Sequence, residues 1–196
     1  FTYTGDDLGA RWTPEATFFR VWAPIANAVY VNLFEKGSGP NLITVEPMVR
    51  DLQGTWVARI PGDLAGKYYT YTVVVMGMTL EAADPYARSS GVNGRRSMII
   101  DLDRTNPPGW ENTGYIRLDS PTDAVLYEVH IRDATIHESS GIKMKGKFLG
   151  LAETGTRSPQ GELTGLSHFK ELGVTHVHLM PIFDFFTVDE TRLDQP

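Results

Sequence analysis

AVLYEVHI (residues 124–131), LTGLSHFKELG (163–173) and VTHVHLMP (174–181) decide the fold of the second half of this chain. The first and third segments are nearly continuous apolar runs, which are typical of strands buried on both faces. In the second segment, apolar residues recur at helical spacing and form one stripe, at Leu163, Leu166, Phe169 and Leu172. Strand, helix and strand in this order predict a βαβ unit with parallel strands.

The predicted helix has recognisable ends, because Thr164 suits an N-cap and Gly173 suits the left-handed residue after the last turn. Two parallel strands do not make a sheet by themselves, and the chain stops at Pro196, soon after the second strand. We therefore expect these 196 residues to be one piece of a larger protein that completes the unit.

A connection at residues 133–162 joins the first strand to the helix. Strand-to-helix loops usually have about 2–6 residues, and much longer ones are commonly functional. In a parallel barrel this loop would lie at the carboxyl face, where active sites are built. It contains Lys143, Lys145 and Lys147, for which a solvated loop is a simpler interpretation than a basic binding patch.

The first half of the chain alternates apolar and polar residues between closely spaced turns, as β-structure does. The alternation predicts six strands, at residues 16–23, 27–34, 42–49, 54–60, 67–75 and 97–101. Short antiparallel strands at this density favour an all-β, immunoglobulin-like sandwich. The sequence thus predicts a multidomain chain, with a sandwich at 1–103, a proline-rich linker at 104–121 and the parallel region at 122–196.

Composition excludes some function classes. The net charge of −6 argues against a nucleic-acid partner, which usually requires a basic face. No apolar run is long enough to cross a membrane, so no membrane partner is expected. The absence of cysteine rules out disulfides and thiolate chemistry. A processed secreted protein would also lack a signal peptide at Phe1, and an extracellular location is favoured over a cytoplasmic one.

Asp133 and Asp184 follow the two predicted parallel strands and are the first candidates for chemistry. Neighbouring strands lie about 4.8 Å apart, and a retaining glycosidase needs two carboxyl groups about 5–5.5 Å apart. The alternative, which we favour, is that Asp133 caps a loop turn and Asp184 accepts hydrogen bonds from loop amides.

His130, His176 and His178 lie within the predicted strands. His176 and His178 share a strand face and could be two ligands of a metal site. We favour hydrogen-bonded histidines between a barrel and its helix, because no third ligand is evident. Aromatic residues of the sandwich could form a sugar-stacking platform: Trp22, Trp56, Tyr68 and Tyr86. Core or interface positions are more common for such residues.

Several motifs resemble known families. FRVWAP (19–24) and ADPYAR (83–88) resemble carbohydrate-binding module family 48. LYEVHIRD (126–133) and GVTHVHLMPIFDF (173–185) resemble barrel strands one and two of the α-amylase superfamily, glycoside hydrolase family 13, including a proline at Pro181. The insertion SSGIKMKGKFLGLAETGT (139–156) and the linker motif TNPPGW (105–110) are similar to type I pullulanases.

This resemblance implies an N-terminal sandwich followed by the first βαβ unit of a (β/α)₈ TIM barrel, incomplete in this chain. It implies hydrolysis of α-1,6-glucosidic linkages in pullulan and branched α-glucans, with retention of configuration. In that family the catalytic carboxylates follow barrel strands four, five and seven, so the chain is expected to contain none of them and to be inactive alone. The remainder of the barrel is then an expected partner, as a continuation or a second fragment.

Asp184 matches an acid that follows the strand-two proline in that family, which implies a substrate-binding role in shaping the cleft. The resemblance permits calcium in the complete enzyme and requires no cofactor. Glucan-binding relatives of the module use tryptophans in segments that here read LFEKGSG (33–39) and MTLEAADP (78–85), with Leu80 near one expected position. Independent glucan binding by the sandwich is therefore not expected, and packing against the barrel is.

Three alternatives stay open at this point. The chain could belong to an isoamylase or an α-1,4-glucan branching enzyme, which share these motifs. It could be a non-catalytic α-glucan-binding or interaction module. The least favoured alternative is a stand-alone enzyme that uses Asp133 and Asp184.

Overall fold

The structure, a computed structural model, describes residues 2–180, 182 and 183. It contains two compact units, of which the first ends at Pro108 and the second runs from Gly109 to Phe183. Among the described residues, no helix has the length and apolarity needed to span a bilayer.

The first unit consists of two antiparallel β-sheets. Its strands are β1 (Gly9–Trp12), β2 (Ala16–Trp22), β3 (Ala28–Phe34), β4 (Leu42–Pro47), β5 (Val49–Arg50), β6 (Thr55–Pro61), β7 (Tyr68–Val75), β8 (Met78–Ala82) and β9 (Ser97–Met98). One sheet has the order β1-β2-β6-β5, and the other has the order β4-β3-β7-β8 with β9 also paired to β7. The all-β sandwich predicted from the alternation is confirmed.

Alternate residues of the central strands fill the core between the sheets. Five of these side chains are almost completely inaccessible to solvent: Phe19, Val29, Val31, Leu33 and Tyr69. The Tyr69 ring meets Phe19 and Tyr71 edge-on, with centroid distances of 5.0 and 5.6 Å. Edge-on aromatic contacts add to the free energy that burial of these rings supplies.

A carboxylate, Asp84, is buried beside this aromatic cluster with 5% of its surface exposed. Its Oδ2 accepts hydrogen bonds from the hydroxyls of Tyr69 at 2.7 Å and Tyr71 at 3.3 Å. Its Oδ1 accepts from the backbone N–H of Tyr86 at 2.8 Å. Burial raises the pKa of Asp84 in spite of these hydrogen bonds, which favour its charged form. The ADPYAR motif is thus anchored in the sandwich core.

The second unit contains the predicted parallel strands. Its elements are β10 (Leu126–His130), α1 (Ile131–Thr135), α2 (Phe148–Leu151), α3 (Gly165–Glu171) and β11 (His176–Met180). β10 and β11 pair in parallel, with Leu126 opposite His176 and His130 opposite Met180. Helix α3 follows Thr164, which occupies the N-cap position without making a side-chain capping hydrogen bond. Gly173 takes a left-handed conformation with φ of +72°, as the sequence indicates. The parallel strand–helix–strand order is therefore observed.

One face of the strand pair packs against α3. Tyr127 and Val129 belong to this face, and the Tyr127 ring lies 4.6 Å from that of Phe169, centroid to centroid. Val129 and Phe169 are buried, and Leu179 of β11 packs against them. The other face of the pair carries the alternate residues of both strands.

The structure differs from the sequence expectations in several strands. The strand expected at 42–49 is divided into β4 and β5, which belong to different sheets. β1 and β8 are additional strands, and the strand expected at 97–101 is limited to the two residues of β9. Residues 104–121, which the structure describes throughout, contain 3₁₀ turns at Asp103–Thr105, Trp110–Asn112 and Pro121–Asp123 and no strand. Almost all of these residues are exposed.

Candidate functional site

The carboxyl ends of β10 and β11 and the 133–162 connection form the candidate site. β10 ends at His130 and α1 begins with the next residue, and Ile131 and Thr135 are both buried one helical turn apart. Asp133 consequently lies within α1, where 82% of its side chain is exposed. The expectation that Asp133 caps a loop turn is wrong for this reason. Asp184 and Pro181 lie outside the described residues.

The histidines of the strands lie on the face opposite α3. Side chains alternate along a strand, and Val177 and Leu179 border the apolar groove beside α3. His176 and His178 therefore project from the other face, and their expected position between barrel and helix is wrong. Nδ1 of His178 lies 3.0 Å from Oε2 of Glu128. Nδ1 of His176 lies 2.8 Å from Oγ1 of Thr175.

A metal site in this region is not supported. Within the described part of the chain, no group of three or more His, Cys, Asp or Glu side chains is arranged to hold a metal ion. Nδ1 of His130 lies 3.8 Å from Oδ1 of Asp133, which is too long for a hydrogen bond.

The 133–162 connection is held together by side chain–backbone hydrogen bonds. The Thr135 hydroxyl is buried, donates to the Ile131 carbonyl at 2.7 Å and accepts from the Gly146 N–H at 2.9 Å. The Ser140 hydroxyl donates to the Thr135 carbonyl at 3.2 Å, and the Thr164 hydroxyl donates to the Ser140 carbonyl at 2.5 Å. These bonds join the beginning of the connection to the start of α3.

Glu153 fastens the middle of the connection. Its carboxylate accepts hydrogen bonds from the backbone N–H groups of Lys143 at 3.0 Å and Met144 at 2.8 Å. These amides hold the pKa of Glu153 below its usual value, because they favour the charged form. The Lys145 ammonium donates to the carbonyls of His137 and Glu138. Lys143 and Lys147 are exposed, so the lysines do not converge on one binding patch.

Two glycines permit the close approach of neighbouring turns in this connection. A Cβ on Gly141 would lie 2.2 Å from the Arg157 carbonyl oxygen, and φ of Gly141 is +69°. A Cβ on Gly150 would lie 2.1 Å from the Met144 carbonyl oxygen. Only glycine fits such contacts without moving the backbone. The connection is therefore a compact, ordered surface beside the strand ends.

The comparisons with known proteins cover both units. Residues 7–87 match the family model of carbohydrate-binding module 48, the isoamylase N-terminal domain. The chain is 38% identical over 193 residues to the pullulanase of Bacillus subtilis (strain 168), a match that covers 98% of the chain. It is 33% identical to pullulanase 1, chloroplastic, of Arabidopsis thaliana in an alignment of 205 residues that covers 98% of this chain.

The chain is related to the pullulanases. The crystal structure of the apo pullulanase from Paenibacillus barengoltzii superposes with a TM-score of 0.92 at 54% identity over 99% of the chain. The chain spans only part of these relatives, namely 26% of the Bacillus subtilis protein and 30% of the Paenibacillus barengoltzii chain. The latter protein has also been crystallised with maltohexaose and α-cyclodextrin.

The four aromatic residues considered as a possible sugar-stacking platform do not form one shared surface in the sandwich of this pullulanase relative. Trp56 is buried, and its Nε1–H donates to the Ala23 carbonyl at 3.0 Å. Trp22 belongs to β2 in one sheet and Tyr68 to β7 in the other, and Tyr86 follows β8. Trp22 and Tyr86 are each nearly half exposed. The core interpretation is therefore correct for Trp56.

Proposed function

We propose that the chain is the N-terminal portion of a starch-debranching glycoside hydrolase that cleaves α-1,6-glucosidic linkages in pullulan and branched α-glucans with retention of configuration. One observation carries this proposal: the match to pullulanases is continuous over 98% of the chain and so includes the sandwich and the parallel unit. In this proposal residues 1–103 are a family 48 module, 104–121 a linker and 122–196 the beginning of a (β/α)₈ barrel.

The geometry of the second unit supports the barrel. Parallel strands occur almost only where both faces are covered. Here α3 covers one face of β10 and β11, and residues on the other face, such as Leu126, His176 and His178, are largely exposed. Further strands and their helices, supplied by the remainder of the protein, would cover that face and close the barrel.

The chain contributes the rim of the substrate cleft rather than its catalytic carboxylates. Active sites of such barrels lie at the carboxyl ends of the strands. The 133–162 connection leaves β10 at that end, and its hydrogen bonds through Thr135 and Glu153 give it a fixed shape. We also propose a substrate-binding role for Asp184. An α-glucan substrate agrees with the maltohexaose and α-cyclodextrin held by the Paenibacillus barengoltzii relative. We also propose an extracellular location, as the sequence analysis favours.

Incubation of the complete protein with pullulan tests this function. We expect new reducing ends and maltotriose as the product, because the α-1,6 linkages of pullulan join maltotriose units. Residues 1–196 alone should release no sugar. An isoamylase would act on branched glucan while leaving pullulan intact, and a branching enzyme would transfer glucan segments without a net gain of reducing ends. Either pattern would replace the proposed function with that alternative.

A non-catalytic α-glucan-binding module is the second candidate, and the family 48 match at residues 7–87 favours it. Affinity electrophoresis of the chain in gels containing soluble starch separates the two candidates. We expect no retardation, since Trp56 is buried and Leu80, exposed on the edge strand β8, lies near a position at which the resemblance implies a tryptophan in glucan-binding modules. Strong retardation, together with an inactive complete protein, would favour the binding module.

A further inference from the structure

A polar pair lies on the face of the two parallel strands that is opposite α3. This free face carries the alternate residues Leu126, Glu128, His130, His176, His178 and Met180. Glu128 of β10 is opposite His178 of β11 in the strand register. Oε2 of Glu128 and Nδ1 of His178 are 3.0 Å apart, which is a hydrogen-bonding distance. The side chains are 57% and 66% exposed, respectively, within this chain.

The neighbours of the pair define its place in the strand pair. Leu126 and His176 lie opposite each other before it, and His130 and Met180 lie opposite each other after it. The pair is therefore in the middle row of the free face, one row below the carboxyl ends of the strands. Nδ1 of His130, in the row above, makes no hydrogen bond to any described residue.

We propose that Glu128 and His178 are positioning residues: they form a buried hydrogen-bonded pair inside the complete barrel and fix the carboxyl ends of β10 and β11 beneath the substrate cleft. This inference rests on the proposed function, because the free face becomes the barrel interior only in the complete enzyme. A buried charged or polar side chain requires a partner, and removal of one partner leaves the other unpaired at a large cost. Replacement of both by apolar residues removes that cost.

The chain offers a matched control pair of the same residue types. His168 and Glu171 of α3 approach to 3.7 Å between Nδ1 and Oε2, with 42% and 58% of their side chains exposed. A helix on the outside of a barrel keeps such a pair in water, where ion pairs contribute little. Histidine–glutamate pairs inside and outside the barrel should therefore behave differently although they are similar in this chain.

The test is a double-substitution cycle in the complete protein. Glu128→Leu and His178→Leu are made singly and together, with Glu128→Gln as the conservative variant. His168→Leu and Glu171→Leu form the control cycle. The measurements are the midpoint of thermal unfolding and, well below that midpoint, kcat and KM for pullulan.

We expect each single substitution at Glu128 or His178 to lower the unfolding midpoint by several degrees and the double substitution to restore most of the loss. Each single should also lower kcat about tenfold with little change in KM, since small displacements of strand ends disturb the catalytic geometry. Glu128→Gln, which can still hydrogen-bond to His178, should retain most of kcat. The control cycle should show small, additive changes.

Additive effects at Glu128 and His178 that match the control cycle would overturn the buried pair. A non-additive cycle with unchanged kcat would overturn the positioning role. If the complete protein does not hydrolyse pullulan, the proposed function fails, and the stability cycle still decides whether the pair is buried.

Discussion

One buried carboxylate, Asp84, connects three tyrosines of the sandwich. It accepts hydrogen bonds from the side chains of Tyr69 and Tyr71 in β7 and from the backbone N–H of Tyr86 beyond β8. Its own N–H donates to the Ser97 hydroxyl in β9. The sequence shows ADPYAR as a motif, but only the structure shows that its aspartate is buried and accepts hydrogen bonds from tyrosines of the core.

Asp84→Ala should lower the free energy of unfolding by about 2–4 kcal/mol, because it leaves two tyrosine hydroxyls without their acceptor. Urea unfolding of residues 1–196, followed by tryptophan fluorescence, measures the change. Asp63→Ala is the matched control: Asp63 also accepts from an aromatic side chain, Trp12, and from the Ala65 N–H, but at the exposed surface. Equal effects of the two substitutions would contradict the importance of burial.

The stability contributed by Asp84 should fall as the pH rises. Burial raises its pKa in the folded state above that in the unfolded chain, so the contribution is complete below the unfolded value, about 3.9. It is lost as the pH rises through the raised folded value. Asp7, Asp51, Asp63 and Glu153 have lowered pKa values and the opposite dependence.

Comparison with Asp84→Asn isolates this dependence, since the other acids are common to both proteins. The free energy of unfolding of the unsubstituted chain, minus that of the variant, should decrease between about pH 3 and pH 7. Unfolding in urea at a series of pH values measures it. A difference that increases with pH would contradict the raised pKa.

Among the elements, those with a clear pattern of burial could be predicted from the sequence. β2, β3, β6 and β7 have their predicted ends to within one residue, because each is a central strand of its sheet with several buried apolar residues. β8 could not be predicted, since all five of its residues are exposed and show no alternation. β1 could not be predicted either, since it has only four residues and lies at the edge of its sheet.

The parts of the site that depend on distant contacts could not be predicted. α1 and α2 are short, and the Thr135 and Glu153 hydrogen bonds that hold them reach residues about ten positions away. The alternation in VTHVHLM shows that His176 and His178 share a face, but not which face meets α3. That choice depends on packing against Phe169. The role of Asp184 stays a prediction.

Loss of the Glu153 carboxylate should loosen the 133–162 connection. Glu153→Ala removes the acceptor for the Lys143 and Met144 amides, so trypsin should cleave after Lys143, Lys145 or Lys147 several-fold faster. Glu162→Ala is the control, because the Glu162 bonds to Ser158 are made by its backbone N–H and carbonyl, which the substitution keeps. A cleavage time course analysed by mass spectrometry measures the rates. Equal rates for the two variants would show that Glu153 does not hold the connection.

At the scale of the whole molecule, the two units differ in how completely they bury their strands. The sandwich encloses its core between two sheets of four and five strands. The second unit has a sheet of two strands, with Leu126 69% exposed. A two-stranded sheet is marginally stable in water unless something packs on it, and α3 packs on one face only. The remaining strands and helices of the proposed barrel would cover the other face.

Hydrogen exchange should reveal this difference directly. In residues 1–196 alone, the amides of β10 and β11 should exchange at least about tenfold faster than they do in the complete protein, because the proposed additional strands would suppress local opening. Peptides from β3 and β7, in the closed sandwich, should exchange at the same rate in both and serve as the internal control. Mass spectrometry of peptic fragments measures all four strands in one experiment. Equal protection of β10 and β11 in the two proteins would mean that the strand pair is stable without further strands, and the barrel proposal would then lose its structural support.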